Sequence, residues 1–174
     1  NALPLPFDNS RIDKGGLKAI VATLIRSYGN RQAAAVLDVI KTLGFRYATL
    51  SGTTVAVTDI TIPASKPALL AEADAEVADI EKQFRRGLIT NEERGNEVIA
   101  IWTRTKDAVT SAVDKALDPY GPITMMAQSG AKGNIQQISQ MSGMRGLMAD
   151  PSGGIIELPI RSSFREGLSV LEYF

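Results

Sequence analysis

The chain contains no cysteine and no histidine. The first absence excludes disulfide frameworks, thiolate zinc sites and cysteine nucleophiles. The second excludes Ser-His triads and every histidine-ligated metal. Charge of one sign is also missing: Lys plus Arg and Asp plus Glu both number 19. No global field therefore draws in nucleic acid or an anionic membrane, and any such contact has to be local. Apolar runs stay far below the roughly 18–20 residues of a membrane span, and no charged-then-apolar leader opens the chain. A soluble, intracellular protein is the default expectation. The chain opens without Met and stops at Leu171-Glu172-Tyr173-Phe174, inside an amphipathic pattern without a cap, as expected of a piece of something longer.

What is present is enough for a core. The 174 residues are 44% apolar and 6% aromatic, which fits one domain or two small ones. Chains of this size hide about 68–70% of their unfolded surface and need neither disulfides nor a structural metal to fold.

Pro4 and Pro6 bias the opening, residues 1–12, toward irregular or extended backbone. Leu17, Ile20, Val21, Leu24 and Ile25 then recur at helical spacing as far as Gly29. Ala33, Val36, Leu37, Ile40 and Leu43 do the same as far as Gly44, so a helical pair is expected. Between Phe45 and Ile62 the pattern changes to short β-branched runs, with Thr53 to Val57 as a candidate strand closed off by Pro63.

The next fifty residues are the most legible. Leu70, Ala73, Val77, Ile80 and Phe84 step by 3, 4, 3 and 4, and Val98, Trp102, Thr105, Val109, Ala112 and Ala116 by 4, 3, 4, 3 and 4. Both are seams with a period of about 3.5 and should pair antiparallel as a helical hairpin. Gly87 suits a left-handed turn after the first helix. Thr90 and Glu93 form a T-x-x-E capping box at the start of the second. Arms of roughly 20 residues reach about 30 Å. Such a hairpin is either a structural coiled coil with solvated flanks or a docking arm. The mixed apolar and charged tip, from Phe84 to Arg94, favours docking. Trp102 is expected in the seam as core, and Glu72, Glu76, Asp79, Glu92, Glu93 and Glu97 as solvated faces and salt-bridge partners rather than a metal site.

Pro119 and Pro122 break the pattern. Glycines at 130, 133, 143 and 146 follow, with Ile135, Ile138 and Met141 as a short helical stripe between them. This reads as mobile loop around one short helix. The stretch Gln128 to Asn134 suggests a phosphate cradle with Lys132 supplying charge, but it lacks the G-x-x-x-x-G-K-[ST] spacing. Tight turns are expected around Met144 and Arg145. Ile155, Ile156 and Leu158 read as a brief strand, and Phe164, Leu168 and Leu171 as the start of a final helix. The fold class expected is α+β, mainly α: a small helical or mixed domain carrying a long protruding antiparallel hairpin.

The string from Met125 through Gly130-Ala131-Lys132-Gly133 to Gly143-Met144-Arg145-Gly146-Leu147-Met148-Ala149 resembles the largest-subunit family of multisubunit RNA polymerases, in its bacterial form the beta-prime subunit. So do Pro159-Ile160-Arg161-Ser162-Ser163-Phe164-Arg165-Glu166-Gly167-Leu168 and the hairpin with Gly87-Leu88-Ile89-Thr90 and Glu93-Arg94. The resemblance covers nearly the whole chain. It implies a pore region beside the secondary channel at residues 1–64, the rim-helix hairpin of the funnel at 65–118, the F-loop region at 119–150, and a short strand with the start of the bridge helix at 151–174.

By the same resemblance, the parent synthesises RNA from nucleoside triphosphates on a DNA template, and this stretch lines the entry channel and braces the bridge helix. Leu88, Ile89, Glu93, Arg94 and Asn96 would dock secondary-channel regulators. Met126, Lys132 and Arg145 would belong to the F-loop and the nucleotide channel. Lys132 stands where relatives carry arginine, so charge is kept and the planar fork is lost. Gly95 and Glu97 stand where some relatives carry an aromatic and a basic residue.

The family's Asn-Ala-Asp-Phe-Asp-Gly-Asp motif is absent. Catalytic and metal residues are therefore not expected here, magnesium and zinc are expected only in the parent, and this stretch alone is expected to be inactive. The implied partners are the beta, alpha, omega and sigma subunits and secondary-channel factors, with DNA and RNA met only through the complete enzyme, and no membrane. The implied location is the bacterial cytoplasm, at the nucleoid. A free-standing adaptor with a protein-binding hairpin is the alternative from another class, and a small nucleotide-binding enzyme comes third.

Overall fold

A computed structural model describes residue 7 and residues 9–174. The opening segment read as extended falls mostly at positions 1–6 and 8, outside the described residues.

Helix α1 spans Lys14–Ser51, with the Asp13 carboxylate accepting from the Gly16 amide at 2.8 Å as N-cap. At Gly29 the backbone leaves the helix (φ 76°, ψ 170°), so the expected helical pair is present with its break at the expected glycine. The second helix overruns its expected end. Gly44 stays helical, and the left-handed residue that ends the helix is Gly52 (φ 58°). The polar residues in this stretch do not stop it because Thr42 and Thr49 turn their hydroxyls back to the carbonyls of Asp38 and Phe45, both at 2.8 Å, consuming within the helix the groups that would otherwise compete with it.

The strand expected at Thr53 to Val57 does not form. Residues 53–56 have no regular structure, and Val57–Asp59 is a 3-10 turn closed by the Ala56 amide on the Asp59 carboxylate at 2.7 Å. β-branched composition favours a pleated surface only where a neighbouring strand supplies one. Among the described residues the sheet contains just two strands, both later in the chain.

Helices α2, Lys66–Arg85, and α3, Asn91–Ala116, form the hairpin. Ion pairs fix its antiparallel sense: Arg94 meets Glu81 at 3.1 Å, and Arg104, ten residues on, meets Glu76. Ala73 is buried from α2, with Leu70, Val77 and Ile80 packed around it. From α3, Val98, Ile101, Trp102, Thr105, Val109 and Val113 are buried. The expected seam therefore holds from Leu70 to Ile80 and from Val98 to Val109, while Phe84 is exposed beside the Arg94 guanidinium and the pattern after Val109 shifts. Val113 takes the buried place, Ala112 is half-buried and Ala116 exposed. The reason is a change of partner: the base of α2 lies opposite about residue 110, and the last turns of α3 pack on α5 and on Ile123 and Ala127 of the next helix, where a straight helix follows 3.6 rather than 3.5.

Those helices are α4, Pro122–Gln128, and α5, Ile135–Ser142. Only the second was expected. Pro122 occupies the first turn of α4, where its missing N–H costs nothing. Ile138 and Met144 join Val109 and Val113 in the core, and the Thr110 and Ser139 hydroxyls meet at 2.9 Å.

Strands β1, Gly146–Ala149, and β2, Ile155–Ile160, pair antiparallel with Met148 opposite Ile156 and a register shift before Gly146 meets Ile160. Of the two, β2 was expected and β1 was not. Pro159, which has no N–H for a ladder, lies in the shifted part. The last helix, α6, is shorter than expected. It runs over Val170–Tyr173, because Ser163 to Gly167 form a separate turn with the Ser163 hydroxyl and amide donating to Glu166.

Candidate functional site

The hairpin turn is built from backbone. The Gly87 amide donates to Phe84 O at 2.9 Å and the Leu88 amide to Gln83 O at 3.1 Å. Residue 87 has φ 71°, which glycine adopts without a steric penalty. The Glu93 carboxylate accepts from the Thr90 amide and hydroxyl at 2.7 and 2.9 Å, while the Thr90 hydroxyl accepts from the Glu93 amide at 3.2 Å. The Thr90 backbone bond, then its hydroxyl, hold the Glu93 carboxyl below the usual carboxylate range.

Of the five residues expected to dock regulators, Leu88 is 68% exposed and Asn96 exposed, while Ile89 is half-buried. Glu93 is occupied by its cap. Arg94 is occupied as well: its guanidinium donates to Glu157 at 2.7 and 3.0 Å, to Glu81 at 3.1 Å and to Asn91 at 3.0 and 3.2 Å, and lies 5.4 Å from the centre of the Phe84 ring. Glu157 foremost strengthens its protonated form, against the opposing effect of burial. Sequence reasoning missed Glu157 and Glu81. No local pattern links a strand residue to a helix start 63 positions away.

Gly95 belongs to the same arrangement. It is buried, and a Cβ there would lie 2.7 Å from Glu157 Oε1. A side chain at this position would displace the carboxylate from Arg94.

The glycine loop joins α4 to α5. Its amides are spent internally: Gly130 on Ala127 O at 3.2 Å, Ala131 on the Ser129 hydroxyl at 3.4 Å and Lys132 on Met126 O at 3.4 Å. These three amides are therefore not free to cradle an anion. Met126 and Lys132 come together as lining of a cleft of about 230 Å³ with Val55, Ile123, Ile138 and Met141. Arg145 is apart from them. Its amide donates to Ser162 O at 3.3 Å, its Nε approaches Met148 Sδ at 3.3 Å, and its guanidinium carbon lies 5.2 Å from the Phe164 ring centre. It lines a second cleft of about 610 Å³ with Phe164, Leu171 and Phe174.

At the chain end the Glu172 carboxylate accepts from the Arg161 and Ser162 amides at 2.9 and 3.0 Å, from the Ser162 hydroxyl at 2.9 Å, and from the Ser169 amide and hydroxyl, both at 2.9 Å. Burial opposes ionisation, but the amides of Ser169 and Ser162 and then their hydroxyls outweigh it, and the carboxyl is lowered to about 2. Among the described residues no group of three or more acidic side chains is placed to hold a metal ion. No helix among the described residues is long and apolar enough to cross a membrane.

Two family models match the chain: RNA polymerase Rpb1, domain 3, over residues 6–60, and RNA polymerase Rpb1, domain 4, over residues 89–165. Among curated relatives, the DNA-directed RNA polymerase subunit beta' of Chloroflexus aggregans is 50% identical over 98% of this chain. The corresponding subunits of Heliobacterium modesticaldum and Desulforamulus reducens are each 55% identical, over 97% and 98% of it. The chain spans 13% of the length of the first of these and 14% of the other two. With two domains of one protein matched in order and half of all positions identical, the chain belongs to the RNA polymerase largest-subunit family, as the stretch of a beta' subunit that contains Rpb1 domains 3 and 4.

Proposed function

We propose that this stretch serves in a DNA-directed RNA polymerase, a nucleotidyltransferase that builds RNA from nucleoside triphosphates on a DNA template, and that its own part is architectural. Residues 1–64 lie beside the secondary channel, 65–118 form its rim, 119–150 the F-loop, and 151–174 lead into the bridge helix. The complete enzyme works in the cytoplasm, at the nucleoid, with beta, alpha, omega and sigma subunits and with magnesium and zinc held elsewhere in beta'. The stretch alone joins no nucleotides.

The observation that carries this reading is the hairpin end: Leu88 is largely exposed at a turn stiffened by a capping box and an arginine clamp. Exposed apolar side chains on a rigid support are what a docking partner uses. Leu88, Ile89 and Asn96 make the contacts, while Glu93 and Arg94 hold the platform. Lys132 attracts phosphate near Met126, and Arg145 supports the bridge helix through Phe164.

The test is Leu88→Asp in the complete polymerase, read as the ratio of factor-stimulated to unstimulated transcript cleavage. The ratio falls if the tip docks factors, and an unchanged ratio removes that role. Slower nucleotide addition by Arg145→Ala would support the bracing role, and a wild-type rate would count against it.

A further inference from the structure

Three ion pairs tie the segment 157–166 to the hairpin, and they are ordered. Glu157 meets Arg94, itself bound to Glu81; Arg161 meets Asp74 at 2.8 and 2.9 Å and lies over Trp102; Glu166 meets Lys66. As the segment advances through 157, 161 and 166, the α2 residues at its ties retreat through 81, which shares Arg94 of α3 with Glu157, then 74 and 66, which pair with it directly. Between the first two ties seven residues of helix rise about 10 Å and four of extended chain about 13 Å, so the two run side by side there. The segment is a strap laid down the arm from its tip to its base. Its middle residues, Arg161 and Ser162, are also the ones whose amides and hydroxyl hold Glu172 of α6.

From this we infer that the hairpin tip and α6 are mechanically joined through residues 157–162, with Glu157 and Gly95 as positioning residues at the tip end. A partner seated on Leu88, Ile89 and Asn96 bears on the turn that Arg94 stiffens, and a shift of Arg94 away from Glu157 frees the upper end of the strap and loosens the hold on Glu172. The absence of a side chain at residue 95 is what lets the Glu157 carboxylate reach the start of α3. For its consequence in transcription the inference rests on the docking function proposed above; the link itself does not.

The experiment is amide hydrogen exchange on the complete, factor-free polymerase, followed over residues 161–173, for three single variants. Glu157→Ala removes the anchor. Gly95→Ala keeps both charges but displaces the carboxylate. Glu81→Ala removes the other carboxylate on Arg94 and leaves the strap in place. Exchange over 161–173 should rise about fivefold in the first two, the change a partly exposed ion pair can transmit, and stay at the wild-type level in the third.

Unchanged exchange in Glu157→Ala overturns the link, and so does an equal rise in Glu81→Ala, which would mean general loosening of the hairpin. If Gly95→Ala alone fails to respond, the carboxylate has been accommodated and the positioning role of Gly95 is withdrawn. Raised exchange together with a normal factor response upholds the strap and counts against the docking function.

Discussion

The guanidinium carbon of Arg161 stands 4.9 Å from the centre of the Trp102 ring, while Asp74 holds the same guanidinium by two bonds of 2.8 and 2.9 Å. Trp102 is 2% exposed and lies midway along α3, so a cation on the strap closes over the largest side chain of the hairpin core. Trp102→Ala should destabilise the chain by about 3–5 kcal/mol, the cost of emptying a large buried aromatic site. Arg161→Ala should cost about 1 kcal/mol, since its side chain and that of Asp74 are both near 40% exposed. Urea unfolding of the two variants checks the ratio; equal losses would mean that Trp102 is not the anchor.

Lys66 is buried at the start of α2, its side chain 4% exposed, and the Glu166 carboxylate is its partner. Burial raises the Glu166 carboxyl, but the bonds from Lys66 and Ser163 prevail and lower it overall. Glu166→Gln should cost about 2 kcal/mol, because it leaves the buried Lys66 cation without its counter-charge, less than for a fully buried pair since the carboxylate is 34% exposed. Double substitution to Met at 66 and Gln at 166 should recover most of that loss in the same unfolding measurement.

Glu172 provides a pH signature. Its carboxyl is lowered from 4.5 to about 2 in the folded chain, so the folded state prefers the ionised form. The stabilisation is fully present above pH 4.5 and is lost as pH falls through about 2. Carbon NMR titration should show one carboxyl near pH 2 whose protonation coincides with release of α6. Glu172→Gln should remove both the signal and the pH dependence of α6.

The capping box at the hairpin end is testable without polymerase activity. Thr90→Ala removes the hydroxyl that accepts from the Glu93 amide and should cost about 1 kcal/mol. Amide exchange at residues 91–94 should rise, while the core around Val109 keeps its protection.

Much of the architecture follows from local pattern. The period of the apolar residues from Leu70 to Val109, the glycine at 87 and the Thr90/Glu93 box specify a helical hairpin, because helix periodicity and capping depend only on residues three and four positions apart. The family likewise follows from short strings around Gly130 and Met144. Tertiary structure decided the rest. Gly44 stays helical while Gly52 ends the helix, Thr53 to Val57 find no strand to pair with, and Val113 rather than Ala112 faces the core because α4 and α5 lie there. The role of Arg94 was decided in the same way: its position in the sequence places it at the hairpin end, but only the approach of Glu157 from β2, 63 residues away, makes it a clamp. Partners that distant in sequence leave no periodic trace, since their meeting depends on how whole elements pack.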